Sequence, residues 1–270
     1  MDNRMKRADR IGIMIKILSD NPGKTIPFSV FSDMFSVAKS SISEDIMHIR
    51  ETFEAFGFGE IETIIGASGG VRYNPVSSVS ENQRYLDELC ARLTDPGRIL
   101  TGDFLYYSDL IFSPSISKKL GYMLAQRFLS SRPDCVMTIE TTGIPIALMT
   151  AQALNIPLVV ARKTHRITDG PIISVNYITG DKHIATMSIS KRSIQKGQRV
   201  LIVDDFMKGG STIKGMRELL KEVDAIDIGT GVVIESANAQ NRVINDFCSL
   251  MTLYEVNKDT GTVDIRPTEL

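Results

Sequence analysis

Val200-Leu201-Ile202-Val203-Asp204-Asp205-Phe206-Met207-Lys208-Gly209-Gly210-Ser211-Thr212 runs from four apolar residues through two acids into a glycine-rich turn. The apolar tetrad reads as a buried strand with the acids at its C-terminal end. A helix capped by Ser211 or Thr212 is expected next, running to about Val223. The order of strand, acid pair, turn and cap suits a ribose 5-phosphate. Backbone N–H groups of such a turn and of a helix start bind phosphate, helped by the helix dipole. A Cβ at Gly209 or Gly210 would push the phosphate away. The hydroxyls of Ser211 and Thr212 add donors. Asp204 and Asp205 can accept hydrogen bonds from a ribose diol. Asp204 to Thr212, with Phe206, Met207 and Lys208 between, are therefore candidate ligand residues.

Composition sets wide bounds. The chain has 270 residues, 43% of them hydrophobic and 23% charged, with a net charge of −1. These are the proportions of an ordinary globular protein of one large or two smaller domains. The near-zero charge gives no global pull toward nucleic acid, so any such binding must be local. No apolar run reaches the roughly 20 residues of a membrane span. The opening Met1-Asp2-Asn3-Arg4-Met5-Lys6-Arg7 is not a secretory signal. Cys90, Cys135 and Cys248 are far apart and fit no zinc or disulfide spacing, as expected of reduced thiols in a cytosol.

The first 74 residues have a different pattern from the rest. Ile11, Met14, Ile15 and Leu18 mark a helix over Arg7–Ser19, which Asn21-Pro22-Gly23 ends. Pro27–Phe35 is a second short helix. Lys39–Phe56 is a third, with the stripe Ile42, Ile46, Ile49 and Phe53. Ile61–Ile65 and Val71–Tyr73 read as a β-hairpin around a glycine-rich turn. Three helices and a hairpin in this order spell a winged helix-turn-helix. Its third helix would enter the major groove, with Lys39, Ser40, Ser41 and Ser43 toward the DNA. Lys6 and Arg7 of the first arm and Gly70 and Arg72 of the wing complete the candidate DNA-binding set. Glu44, Asp45, Glu51 and Glu54 would have to face away.

Residues from Pro75 to about Leu129 carry amphipathic helical stretches, read as packing and dimerisation surface, with Tyr106 and Tyr107 expected to stay out of the ligand site. From Asp134 onward strands and helices alternate: Cys135–Ile139, a helix from Ile144 to near Asn155, Pro157–Ala161, a long hairpin over Ile172–Tyr177 and His183–Ser190, then the acid-bearing strand, Ile228–Glu235 and a helix over Ala239–Phe247. Such alternation implies a mostly parallel sheet. Ligands of these sheets sit at the carboxyl ends of the strands. Glu140-Thr141-Thr142-Gly143, Arg162-Lys163 and Asp204-Asp205 all fall there, so one pocket is expected. His183 is expected to be a surface residue at a hairpin tip.

The Val200–Thr212 stretch resembles the phosphoribosyl pyrophosphate (PRPP) signature of type I phosphoribosyltransferases. The resemblance implies that Thr141, Thr142 and Gly143 bind pyrophosphate through backbone amides and that Arg162 and Lys163 meet it with charge. Many relatives carry a Lys before the glycine where this chain has Thr142. Gly210-Ser211 stands where related turns often carry Ala-Gly or Gly-Gly. The long hairpin, with Tyr177, Lys182 and His183, lies where the transferases carry a flexible loop, and Tyr177 joins the candidate ligand residues.

The whole chain, a winged helix followed by this fold, resembles the PurR-type purine repressors of Gram-positive bacteria. The resemblance rests on Ala38-Lys39-Ser40-Ser41-Ile42-Ser43-Glu44-Asp45, Gly69-Gly70-Val71-Arg72-Tyr73, Ser190-Lys191-Arg192-Ser193 and Val203-Asp204-Asp205-Phe206-Met207-Lys208. It implies a winged-helix domain over residues 1–74 and a phosphoribosyltransferase-like α/β domain over 75–270. It further implies a cytoplasmic homodimer on operator DNA, PRPP as the ligand that weakens DNA binding, and guanosine tetraphosphate as a competitor in the same pocket. No catalytic residue, metal site or required cofactor is expected, although Mg2+ can accompany PRPP. The alternative reading is an active purine phosphoribosyltransferase, for which a winged helix has no use. A third, an RNA-binding attenuation regulator, is disfavoured by the DNA-reading geometry of the first domain.

Overall fold

The computed structural model describes residues 5–66, 69–164, 168, 170–180, 182–239 and 242–269. Ala67 and Ser68 of the wing turn, Asp181 of the long hairpin and Gln240 and Asn241 lie outside the described residues. The chain divides into two compact units, Met1–Ser78 with Gln152–Asn155, and Val79–Ala151 with Ile156–Leu270.

The first unit holds α1 (Arg7–Asp20), α2 (Phe28–Phe35), α3 (Lys39–Phe56) and the antiparallel hairpin of β1 (Glu60–Ile64) and β2 (Gly70–Asn74). The apolar spacing of α3 turns Ile42, Ile46, Ile49 and Phe53 to one side. They close with Met14, Leu18, Phe31 and Phe35 around Ile61 and Val71 of the hairpin. Phe53 meets the Tyr73 ring edge-on at 5.6 Å between centroids, which fixes the end of α3 against β2.

The second unit begins with α4 (Val79–Leu93), the short strands β3 (Ile99–Leu100) and β4 (Phe104–Leu105), α5 (Ser108–Ile111) and α6 (Pro114–Phe128). The α/β part follows as β5 (Cys135–Ile139), α7 (Ile144–Leu154), β6 (Leu158–Ala161), β7 (Ile172–Ile178), β8 (Ile184–Ser190), β9 (Arg199–Met207), α8 (Ser211–Glu222), β10 (Ile226–Ser236), β11 (Cys248–Asn257) and β12 (Thr262–Pro267). One six-stranded sheet runs in the order β12-β11-β10-β9-β5-β6, and β7 pairs with β8 in a separate ribbon. All pairings in the large sheet are parallel except β11 with β12 at its edge. Strand and helix residues such as Met137, Ile202, Met187, Met216 and Leu219 are fully buried in a shared core of sheet, ribbon and α8.

The direction of winding changes between β5 and β9. From β5 the chain steps outward to β6, then returns to β5's other side as β9. This is the switch point at which a parallel sheet opens a crevice above its strand ends. The paired register of β5 and β9 ends at Met137↔Ile202, short of the acids of β9.

Several sequence expectations need correction. Strand β9 does not stop at Val203 but continues through Asp204 and Asp205 to Met207, paired with β10 as far as Met207↔Glu235. The cap of α8 is Gly210, at φ +86°, and Ser211 is the first helical residue. Residues 242–247 are not helical. There the Val243 N–H donates to the Gly209 carbonyl at 2.9 Å, and Arg242 reaches Glu235 and the Ser236 carbonyl. Tertiary partners thus take groups that a helix would have used internally. Strands β11 and β12, which carry the C-terminal part of the sheet, had no counterpart in the sequence reading.

Candidate functional site

Asp204 and Asp205 are both buried, at 6% and 7% exposure, although they carry the only side-by-side carboxylates of β9. The Asp205 N–H donates to Asp204 Oδ1 at 3.0 Å. Burial, and after it the neighbouring Asp205 charge, pushes the Asp204 carboxyl well above the usual aspartate range, while the Lys163 charge pulls it back. Close by, Thr138 Oγ1 of β5 is buried with no hydrogen-bond partner among the described residues. The Thr138 hydroxyl is thus held out of water without a partner beside the buried acids, which is costly unless a ligand or solvent meets it.

The glycine-rich turn follows directly. Lys208 is exposed, while Gly209, Ser211 and Thr212 are half-buried. No side chain caps the start of α8. A 12-residue helix thus presents its first N–H groups, with the positive end of its dipole, beside the acid pair. Gly210 is constrained by packing as well as by φ, since a Cβ there would stand 2.5 Å from Ile244 Cγ1.

The other two strand ends supply the turn Glu140–Gly143 and the pair Arg162-Lys163. Thr141 is exposed, Thr142 half-buried and Gly143 buried. Arg162 is held by its backbone, which exchanges hydrogen bonds of 2.9 and 2.8 Å with Ser188 of β8. Its guanidinium lies 3.4 Å from Glu140 Oε2, and Glu140 Oε1 accepts the Lys163 N–H at 2.7 Å. Glu140 therefore ties the two turns together across β5 and β6, a role the sequence reading did not assign.

Two residues read as ligand contacts have their side chains packed in the core. Tyr177 is 8% exposed and lies in the core, where its ring blocks any Cβ on Gly215 of α8. Burial first, and the Asp204 charge second, raise its hydroxyl pKa. Met207 is 2% exposed and its side chain also belongs to the core, leaving only its backbone to the turn. His183 is exposed at the hairpin tip, as expected.

Tyr107 is the residue that sequence reasoning missed. Its hydroxyl donates to Asp205 Oδ2 at 2.7 Å, and its ring stacks on Phe206 with centroids 5.9 Å apart. It sits against the acid pair, not away from the site. Its only signal in the sequence was the Tyr106-Tyr107 pair, and Tyr106 is exposed. Beside it opens a cleft of about 430 Å3 whose lining includes Phe104, Tyr107, Phe206, Lys208, Leu253 and Tyr254. Its aromatic walls suit a flat ligand, and its charged lining is Lys208 with Asp103 and Glu255.

In the first unit, the buried stripe of α3 leaves Ser40, Ser43, Glu44 and Met47 on the exposed side, with Lys39 exposed and Ser41 half-buried at the helix start. Lys6 is exposed. Asp45 is 1% exposed and does not face solvent. Its carboxylate accepts from Arg7 Nε at 2.7 Å and from Arg10 Nη2 at 2.9 Å. Arg7 is thus partly committed within the fold. Arg72 also has a partner in Glu62, 2.9 Å away across the hairpin. Gly70 is buried, and a Cβ there would stand 2.2 Å from the Ile26 carbonyl oxygen. Its role in the hairpin is close packing, not surface contact. Glu44, Glu51 and Glu54 remain exposed.

The bacterial purine repressor N-terminal domain family matches residues 6–75, and the phosphoribosyl transferase domain family matches residues 109–263. The chain is 39% identical over 264 residues to the purine biosynthesis transcriptional repressor PurR of Bacillus subtilis (strain 168), covering 97% of this chain and 93% of that one. It is 37% identical over 263 residues to the purine biosynthesis transcriptional activator PurR of Lactococcus lactis subsp. lactis (strain IL1403), covering 97% of both chains. Among solved structures, adenine phosphoribosyltransferase from Saccharomyces cerevisiae superposes with a TM-score of 0.52 at 21% identity, over 63% of this chain and 98% of that one. That likeness concerns the α/β fold alone. A repressor-type N-terminal domain joined to a phosphoribosyltransferase fold, with relatives that match nearly end to end, leaves one conclusion: the chain belongs to the PurR family of purine biosynthesis transcriptional regulators.

Proposed function

We propose that this chain is a cytoplasmic, homodimeric repressor of purine synthesis and uptake genes whose operator binding PRPP relieves and guanosine tetraphosphate favours. The observation that carries the reading is the meeting of three strand ends at one switch point. The buried pair Asp204-Asp205 accepts the ribose hydroxyls. The uncapped start of α8, with Gly209, Gly210, Ser211 and Thr212, takes the 5-phosphate. Thr141 to Gly143 and Arg162-Lys163 face the pyrophosphate. Guanosine tetraphosphate shares the phosphate positions, and its base fits the aromatic cleft of Tyr107, Phe206 and Lys208, so the two ligands exclude each other.

The donor set bears on Mg2+. Among the described residues, no group of three or more His, Cys, Asp and Glu converges to hold an ion. Asp204 and Asp205 supply at most two carboxylates, so Mg2+ fits this site as part of the ligand and not as a resident metal. The sensor reading requires that PRPP bind without transfer to a base. An active purine phosphoribosyltransferase is the second reading, kept because the phosphoribosyl transferase domain family matches residues 109–263, which include the acid pair.

A gel-shift titration on DNA upstream of a purine operon, with and without PRPP, tests the proposal. The complex should form without ligand and dissociate as PRPP is added. DNA binding that PRPP strengthens would mean activation through the same site. Pyrophosphate release from PRPP with adenine, guanine, hypoxanthine or xanthine, at about 1–1000 s⁻¹, would establish the transferase.

A further inference from the structure

We infer that the Tyr107 hydroxyl is a built-in competitor for the ligand: it occupies on Asp205 the acceptor that a ribose hydroxyl must take, so that binding requires Tyr107 to let go. This deepens the proposed function and rests on it, because it presumes that Asp205 receives a ribose hydroxyl.

The hydrogen bond is 2.7 Å long and joins residues 98 apart in the chain. Asp205 is 7% exposed and its Oδ2 is the oxygen Tyr107 holds. A diol approaching from the strand end meets an acceptor already supplied with a donor. An exchange of one hydroxyl for another on the same carboxylate gains little net energy, so the intramolecular donor lowers the affinity for any polyol ligand. Burial first, and the Asp205 charge second, push the Tyr107 pKa upward, so its hydroxyl keeps its proton and stays a donor at neutral pH.

Tyr107 is also placed to report its release. It lies between β4 and α5 in a segment tied into one body. Arg98 pairs with Asp109 at 2.8 Å and donates to the Tyr106 carbonyl at 3.0 Å, while the Tyr106 N–H returns to the Arg98 carbonyl at 2.8 Å. Asp103 of the same segment accepts the Lys258 N–H at 2.9 Å, just past β11. A Tyr107 that leaves Asp205 must turn its side chain or carry this segment with it. Occupancy of the ribose site is thereby coupled to the Arg98–Asp109 segment, a differential contact of the kind a ligand switch requires.

The test is Tyr107→Phe in the full chain, which keeps the ring on Phe206 and removes only the hydroxyl. Calorimetric titration with PRPP should show about threefold to tenfold tighter binding than in the parent protein, the range of one net hydrogen bond. Equal or weaker binding by a folded Tyr107→Phe protein overturns the competitor role while leaving the PRPP reading intact. Absence of PRPP binding in both proteins overturns the PRPP reading, and this inference falls with it. A second measurement reads the parent protein's own tyrosine and uses the variant only for assignment. In protein labelled with 3-fluorotyrosine, the 19F resonance that disappears in Tyr107→Phe should shift when PRPP saturates the parent protein. A resonance that stays in place at saturation refutes release of Tyr107.

Discussion

A Cβ on Gly143 would stand 2.5 Å from Oδ1 of Asp204 and 2.7 Å from Oγ1 of Thr138. The turn after β5 and the acid of β9 are thus in contact through a missing side chain. Gly143→Ala should push the Asp204 carboxyl out of place, because a buried carboxylate flanked by core has nowhere to retreat. The cost to stability should be about 1–3 kcal/mol. PRPP affinity should fall by more than about tenfold, since each misplaced charge-assisted contact is worth that much. Urea denaturation and calorimetric titration of the same variant separate the two effects. A variant with unchanged PRPP affinity would show that Asp204 does not touch the ligand.

The pairing of Arg72 with Glu62 changes what the wing can do. Both side chains are about a third exposed, at 34% and 39%, so the pair is worth no more than roughly 1 kcal/mol. A DNA phosphate can therefore compete for Arg72, but it has to displace Glu62. Glu62→Gln should tighten operator binding by about twofold to fivefold and steepen its salt dependence. Lys39→Ala should act in the opposite sense, lowering the slope of log K against log salt by about 0.9 for one lost phosphate contact. Operator affinity measured from 50 to 300 mM salt checks both. Insensitivity to both substitutions would remove α3 and the wing from the DNA interface.

Asp45 with Arg7 and Arg10 ties α1 to α3. Its burial at 1% with Arg10 at 11% makes loss of the acid expensive, since a guanidinium is left without its partner in the protein interior. Asp45→Ala should destabilise the first unit by about 3 kcal/mol. Arg7 is 57% exposed, so Arg7→Ala should cost under about 1 kcal/mol. Hydrogen exchange of the α3 amides around Ile46 and Ile49 in the full chain measures both. Equal protection in Asp45→Ala and the parent protein would contradict the assignment of this pair as structural.

Much of this architecture is legible from periodicity. The stripe Ile42, Ile46, Ile49, Phe53 predicts α3, because one buried face imposes a helical period, and the short unbroken run Cys135–Ile139 predicts β5, a strand buried on both faces. Strand ends carrying Thr142, Arg162 and Asp204 are brought together because chain reversals in a parallel sheet put them there. What escaped depends on contacts across the chain. Tyr107 reaches Asp205 from 98 residues away, and nothing local marks it. Asp45 reads as one more surface acid until Arg7 and Arg10 are seen to cover it. The strand β9 runs on through two acids because β10 supplies a ladder that polar residues alone would not predict. Residues 242–247 look helical because their partners, Gly209 and Glu235, are not local.

The buried acid of the candidate site sets a stability cost that pH can reveal. Asp204 is driven well above the ordinary aspartate range by burial first and by Asp205 second. Its folded pKa therefore exceeds its unfolded value of about 3.9. The folded state then binds more protons than the unfolded state between the two values, so stability falls as pH rises through that window. The contribution is fully present below the unfolded pKa and is lost as pH passes the folded one. Asp204→Asn, which removes the charge and keeps the shape, should therefore melt higher than the parent protein at pH 7, by about 2–4 °C for each kcal/mol relieved. The advantage should shrink as pH is lowered toward 4. The same substitution should weaken PRPP binding, because an amide is a poorer acceptor for a ribose hydroxyl than a carboxylate. Gains in stability that accompany losses in ligand response are the signature of a binding site held under strain. Melting curves from pH 5 to 8 with a PRPP titration at pH 7 test both halves. An Asp204→Asn protein that is less stable than its parent at pH 7 would show that the carboxylate is satisfied within the fold and that Asp204 is not an acceptor kept in reserve for a ligand.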